Sequence, residues 1–239
     1  MAISSAPPEL SEDHRTRVGA ARRLKTRMRL IETALSVFAK KGPDEPVIED
    51  FIAAAQVSRG TFYNYFSTTA ELLAAVAGTM SDEVLQVVDP IVQTMDDPAE
   101  RICTGSRLYM GMALRYPIWG AFITRVGTSN TVRGRLMDTY LSRDIMIGIE
   151  SGRLKVRDLA VARDLVLGSI FYGIETMLTE PTRDTHSQEI MVSVLLGLGV
   201  GDQESHRIAH MPLGDPGSVT APIFSKLEKF TKGSSSQLI

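Results

Sequence analysis

A chain of 239 residues, 44% hydrophobic and 23% charged, is long enough to bury a full core as one large or two small domains. Its single cysteine, Cys103, excludes an internal disulfide and suits a reducing cytoplasm; no run of about eighteen apolar residues offers a membrane span, and MAISSAPPELSEDHR lacks the apolar stretch of a secretory signal. The net charge of -2 conceals an asymmetry, since His14 to Lys41 carries nine Lys and Arg against one acid, Glu32, leaving 17 bases and 27 acids elsewhere; such a basic front on an acidic body points to a polyanion at one end only.

Residues 1–20, rich in Ser, Pro, Arg and Glu without an apolar period, are expected to form a disordered basic arm. From Leu24 the pattern changes. Leu24, Met28, Ile31, Leu35 and Phe38 recur at four- and three-residue steps, one face of a helix that ends near Gly42-Pro43. PVIEDFIAAAQVSRGTFYNYF then reads as two short helical patterns around a tight turn at Ala55-Gln56-Val57. Ser58 is placed to cap the second of them, and Val57 to pack on Phe62 as a hydrophobic staple. A helix of about eight residues needs that packing to persist.

Thr68-Thr69-Ala70-Glu71 is a capping box leading into LLAAVAGTMSDEVLQVV. Asp97-Pro98 opens a helix towards Tyr116-Pro117, and Pro117 to Val126 is a short apolar segment. Further helices are expected at about Thr131 to Ser151, from the cap Asp158 to Glu180, and from His186 to Leu198. No alternating strand pattern flanked by hairpin turns occurs, so the fold is expected to be all-α. From Gly199 the composition turns to Gly, Asp, Ser and Pro, and the tail is expected to be mostly irregular, with room for one short helix at about Ile223 to Phe230. The chain thus divides into an arm at 1–20, a helix-turn-helix domain at 21–68, a ligand-binding and dimerisation domain at 69–200 and a tail at 201–239.

In a helix-turn-helix the second helix enters the major groove while the first braces it. Ile48, Phe51, Ile52 and Ala55, with Val57, Phe62 and Phe66, supply the shared core, which leaves Arg59, Gly60, Thr61, Tyr63, Asn64 and Tyr65 to face outward. Arg59 can fork onto guanine or phosphate, Asn64 can pair with a base edge, and Thr61 and the Tyr hydroxyls can donate to phosphate oxygens. Ser58 and Thr69 stand at helix starts, where free amides offer positive ends to phosphates.

SRGTFYNYF, followed by a Glu-Leu-Leu helix start and preceded by RLIETALSVFAKKG, resembles the N-terminal domain of TetR-family regulators over about Leu24 to Leu73. A second stretch, GIESGRLKVRDLAVARDLVLGSI, is similar to the approach into the long C-terminal helices of that family. The resemblance implies a nine-helix homodimer whose C-terminal helices pair, with a small-molecule pocket in each body coupled to the spacing of the heads. It also implies that Arg59, Thr61, Tyr63 and Tyr65 touch DNA and that Arg27 meets a phosphate. The chain departs from the family at Gln56, where Gly is usual, and at Ile52, Val47 and Thr69, which replace Ala, Thr and Lys. Arg15 to Lys25 is placed to supply the missing phosphate contacts.

On this reading the protein is a repressor that leaves a near-palindromic double-stranded operator when a small apolar or amphipathic effector binds. Arg107, Met110, Trp119, Phe122, Met137, Tyr140, Phe171 and Tyr172 are the candidate pocket residues, with Tyr109 and Arg115 as further polar groups. Val166, Ile170, Met177, Ile190, Val194 and Leu198 are the candidate homodimer interface, with Gly168 and Gly173 permitting close helix approach. The alternatives are a ligand-independent DNA-binding dimer, or a helical small-molecule-binding protein or enzyme. No nucleophile-base constellation accompanies the four histidines, no cofactor motif is present, and His206 and His210 lack a third metal ligand.

Overall fold

The computed structural model describes the backbone of residues 9–126 and 130–227, and side chains at 16–126 and 134–227. The described residues form helices α1 (Glu9–Lys41), α2 (Ile48–Ala55), α3 (Arg59–Tyr63), α4 (Thr69–Val92), α5 (Pro98–Arg115), α6 (Pro117–Val126), α7 (Asn130–Glu150), α8 (Leu159–Thr179), α9 (His186–Gly197) and α10 (Asp202–Ala209). A further helical segment occupies 222–227. The all-α expectation holds for these residues; the count exceeds nine, because α10 lies in the tail expected to be mostly irregular and 222–227 coincides with the short helix for which room was left at about Ile223 to Phe230.

Local chemistry explains most boundaries. Thr68 Oγ1 accepts from the Glu71 N–H at 3.0 Å, while the Glu71 carboxylate accepts from the Ser67 N–H at 2.7 Å, one residue earlier than the capping-box pattern implies. Asp97 caps α5 at the Ala99 N–H, with Pro98 in the first turn, and Asp158 caps α8 at Ala160 and Val161. Inside α7 the chain is broken at Gly134, whose φ of 74° and ψ of 173° leave the helical region. Asp82 on α4 accepts from the Leu136 N–H just beyond that break, and a Cβ on Gly134 would stand 2.4 Å from the Asp82 carboxylate. Only glycine fits there.

One core runs unbroken from head to body. α1 packs on α2 and α4; α4 leaves the head and runs through the body against α5, α6 and α7; α8 lies beside α5, α6 and α9. Helix α1 differs from expectation at its start. It is already helical at Glu9, within the arm expected to be disordered, and Leu24 is 62% exposed because the core begins only at Leu30. The tail packs on the body: Ile208, Ala209, Val219, Ile223, Phe224 and Leu227 are all buried.

Candidate functional site

The head is held by rings and caps. Phe38 lies 4.9 Å from Phe51, Phe51 stacks on Phe62 at 6.4 Å, and Phe62 meets Phe66 at 6.2 Å between centroids. These buried contacts stabilise α3, which at five residues could not stand alone. The start of α2 lacks a hydroxyl cap at Val47; instead the Asp50 carboxylate accepts from the Val47 N–H at 3.0 Å, and Lys41 at 2.7 Å is the main influence holding that carboxylate below its usual pKa. Gln56 takes the left-handed turn with φ 51° and ψ 50°. Ser58 Oγ accepts from the Thr61 N–H at 3.0 Å, as its place in the sequence implies.

Around this core Ser58, Arg59, Gly60, Tyr63 and Asn64 are exposed, while Thr61, Tyr65 and Thr69 are half-buried. Tyr63 is the tyrosine that stands outside, at 47% exposure, and Tyr65 lies against the core. The Thr61 hydroxyl shares a hydrogen bond with that of Ser58 at 2.8 Å. Arg59 is ion-paired with Glu49 of α2, so any anion that takes Arg59 must displace a carboxylate. Arg27 does not project freely from α1; its guanidinium lies over the Phe66 ring at 5.3 Å and ties α1 to the segment that follows α3.

A cavity of about 40 Å³ lies in the body between α4, α5, α7 and α8. Leu85, Val88, Ile102, Leu141 and Ile170 form apolar walls, and Gly105 leaves space beside Val92. Asp89, Arg101, Asp144, Tyr140, Ser106 and Tyr109 add polar groups. The carboxylates are held in a charged network: Arg143 donates to Asp89 at 2.8 Å and to Asp144 at 2.9 Å and 3.0 Å, and Arg101 reaches Asp144 at 3.4 Å. Bonding to Asp144 raises the Arg143 pKa, so the guanidinium stays charged. Burial likewise raises that of the Tyr109 phenol, which shares a 2.9 Å hydrogen bond with Ser81 of α4.

Of the eight residues expected to line a pocket, Met137 and Tyr140 line this one. Trp119 and Phe122 are spent on packing, Phe122 against Phe38 of the head and Trp119 against Tyr109. Phe171 is buried against Tyr109, Arg107 turns away to donate to the Met211 carbonyl at 2.7 Å, and Met110 lines a second, more polar recess of about 260 Å³ with Met177 and Arg183. Tyr172 is 70% exposed and lines neither the cavity nor that recess. Arg115 binds the tail at Gly217. The polar lining residues that sequence reading missed, Asp89 and Asp144 above all, carry one usable signal: Asp144 interrupts the apolar stripe Met137, Leu141, Ile145, and an acid so placed needs a cationic partner, here Arg143 and Arg101.

The expected dimer residues are mostly inside the chain. Val166, Ile170, Val194 and Leu198 are buried, with Ile170 in the cavity wall, and Met177 and Ile190 are half-buried. Ile190 meets Gly173 of the same chain, where a Cβ would lie 2.5 Å from its Cδ1. The apolar groups left outside on α8 and α9 are Val161, Leu165, Tyr172 and Leu196, with open space at Gly168.

Compared with known proteins, residues 30–76 match the family described as bacterial regulatory proteins, tetR family, and residues 97–211 match the tetracyclin repressor-like C-terminal domain. The crystal structure of RolR with resorcinol superposes with a TM-score of 0.71 at 33% identity, over 82% of this chain and 98% of that one. The chain belongs to the TetR family of transcriptional regulators. A TetR-family regulator from Pectobacterium atrosepticum superposes with a TM-score of 0.56 at 25% identity, over 74% of this chain and 96% of that one. Among curated proteins, the uncharacterised helix-turn-helix regulator YvdT of Bacillus subtilis is 32% identical over 60 residues, and the probable acrEF/envCD operon repressor of Escherichia coli K12 is 42% identical over 52. These alignments span 25% and 22% of this chain, and 31% and 24% of the two relatives' own lengths. The C-terminal TetR match stops at 211, short of the tail that packs on the body.

Among the described residues no group of three or more His, Cys, Asp or Glu is placed to hold a metal ion, and no helix is long and apolar enough to cross a membrane.

Proposed function

We propose that this TetR-family protein is a homodimeric repressor that holds two half-sites of double-stranded DNA through α3 and releases them when a small hydroxylated aromatic compound enters the cavity between α4, α5, α7 and α8. The observation that carries the DNA reading is the division of α3 and its flank into buried Phe62 and Phe66 and exposed Arg59, Tyr63 and Asn64. Groups able to read base edges and phosphates stand outside a core that fixes their positions. Arg17, Arg22, Arg23 and Lys25 are exposed along the start of α1 and add positive charge on the same domain.

The cavity lining supports this effector class. Carboxylates at Asp89 and Asp144 accept hydrogen bonds from hydroxyl groups, while Val88, Ile102, Leu141 and Ile170 suit the faces of a ring. RolR, the structural relative at 33% identity, was crystallised with resorcinol, a ligand of that kind. A cavity of about 40 Å³ is smaller than the ~150 Å³ that accepts a benzene ring. Binding must therefore widen it, and the kinked α7 wall can yield at Gly134.

Dimerisation is assigned to α8 and α9. Val161, Leu165, Gly168 and Tyr172 follow one another at four- and three-residue steps along α8, and Leu196 continues the apolar surface on α9.

The test is selection of bound fragments from the source genome, followed by retardation of the selected duplex and titration with resorcinol, with benzene as control. Salt-dependent retardation reversed by resorcinol and untouched by benzene is expected. Failure to retard any duplex at low salt overturns the reading. Retardation that no phenol reverses favours the ligand-independent alternative, which a thermal-shift series with the same probes would corroborate by showing no stabilisation.

A further inference from the structure

We propose that residues 212–227 are a strap across the joint between head and body, fixing the angle at which α1 carries the reading helix. This rests on the reading of α1–α3 as the DNA-binding head. The strap leaves α10 where Arg107 holds the Met211 carbonyl, and Arg115 of α5 then donates to the Gly217 carbonyl at 3.0 Å. The Tyr116 hydroxyl accepts from the Val219 N–H at 3.2 Å. Next the Glu83 carboxylate of α4 accepts from the Ile223 N–H at 3.1 and 3.2 Å and from the Phe224 N–H at 3.2 Å. The far end reaches the head, where Lys226 is ion-paired with Glu32 of α1.

Two features set this segment apart from a tail that merely covers the core. Its ends grip different parts of the molecule, α5 in the body and α1 in the head. Its middle is pinned to α4, which starts at the head and also lines the cavity through Leu85, Val88 and Asp89. Phe224 sits against Tyr116 at 4.7 Å and Trp119 at 5.9 Å, and Trp119 in turn lies 5.0 Å from Tyr109 of the cavity wall. Any widening of the cavity that shifts α4 or α6 therefore pulls on the strap, and the strap pulls on α1.

Charge is concentrated at the joint. Glu32 and Glu83 repel one another across it, and Lys226 supplies a positive charge beside Glu32. Deleting the strap outright would bare Trp119 and Tyr116, so the experiment uses Lys226→Glu in the full chain, which adds a third carboxylate at the joint, together with the charge-swapped double variant Glu32→Lys, Lys226→Glu. Backbone amide hydrogen exchange is followed in residues 30–41 and 220–227 of each. The single variant should exchange threefold or more faster in both segments, and the double variant should return both to within twofold of the parent. Acceleration confined to 220–227, or a double variant as fast as the single one, overturns the proposal. This readout needs neither DNA nor effector, so a protein that retards no duplex would leave it standing or falling on its own. With a selected duplex in hand, Lys226→Glu should weaken binding about fivefold, since a head free to swing must be ordered on binding. Faster exchange in α1 with unchanged affinity would overturn the claim that the strap presets the head.

Discussion

At the scale of single residues, α3 and its flank pass from buried to exposed positions within a few residues. Phe62 is fully buried and stacked on Phe51, whereas Tyr63 next to it is exposed. Phe62→Ala should therefore cost about 3–5 kcal/mol of stability, while Tyr63→Ala, which loses only an edge contact with Phe62 at 5.8 Å, should cost no more than about 1.5 kcal/mol and weaken duplex binding. Equal loss of melting temperature in the two variants would refute the division. Gln56 presents the opposite case, a residue whose cost lies in its backbone. Its φ of 51° is the left-handed region, where a Cβ costs about 1–2 kcal/mol. Gln56→Gly removes that cost and returns about 0.4–1 kcal/mol to unfolded-chain entropy. A net gain of up to about 1 kcal/mol in denaturant unfolding is expected. The departure from the family's usual glycine was legible in the sequence, and the positive φ gives it an energetic meaning. Which tyrosine faces out was not legible, because Tyr63 and Tyr65 both flank a core residue and only the close of α3 at Tyr63 turns Tyr65 inward.

At the scale of elements, local caps announced themselves and packing phase did not. Thr68, Asp97 and Asp158 mark helix starts in the sequence because each cap is a contact between residues at most three apart. On α8 the apolar residues run around the whole cylinder, so nothing in the order of Val161, Leu165, Val166 and Ile170 reveals that the last two face inward and the first two outward. The tail was read as irregular for a related reason: 212–221 has no period, and its hold on the body comes from Arg115, Tyr116 and Glu83, all more than one hundred residues away. Glu83 gives this element a measurable energetics. Burial raises its pKa, the N–H groups of Ile223 and Phe224 oppose the rise, and Glu32 adds to it. A carboxyl that binds its proton more tightly when folded contributes stability that falls as pH climbs from the ordinary carboxylate range through the raised value, and is level above it. Glu83→Gln should remove that slope, which lies above the ordinary carboxylate range. Glu83→Ala leaves two buried N–H groups without their acceptor and should cost about 1–3 kcal/mol; a cost no larger than that of the Gln variant would refute this account of the cap.

At the scale of the whole molecule, the charge asymmetry read from the sequence becomes a geometry. Bases crowd the first part of α1, and the exposed apolar stripe Val161, Leu165, Tyr172 and Leu196 lies on α8 and α9, elements that belong to the body. A homodimer formed through that stripe should be split or weakened at least tenfold by Tyr172→Glu, which sets a carboxylate in a face about to be desolvated. Sedimentation at several concentrations reads the change, and an unaltered assembly would place the interface elsewhere. The basic start of α1 makes a separate claim. Removing residues 1–25 should lower the slope of log binding constant against log salt by about 0.9 for each phosphate that the arm neutralises. An unchanged slope would show that the charges act on no duplex.

The continuity of α1 has one further consequence. A disordered arm has reach but no length, whereas Glu9–Lys25 as helix rises about 24 Å at ~1.5 Å per residue, equal to about seven base pairs at ~3.4 Å each. Laid along a duplex, an arm of that kind would act as a ruler. Nuclease protection by the full chain should extend past the half-sites by up to that distance and end at a sharp edge, while a chain cut before Leu24 should protect the half-sites alone. Operators for this protein would then be recognisable by the width of their footprint as well as by the bases that α3 reads.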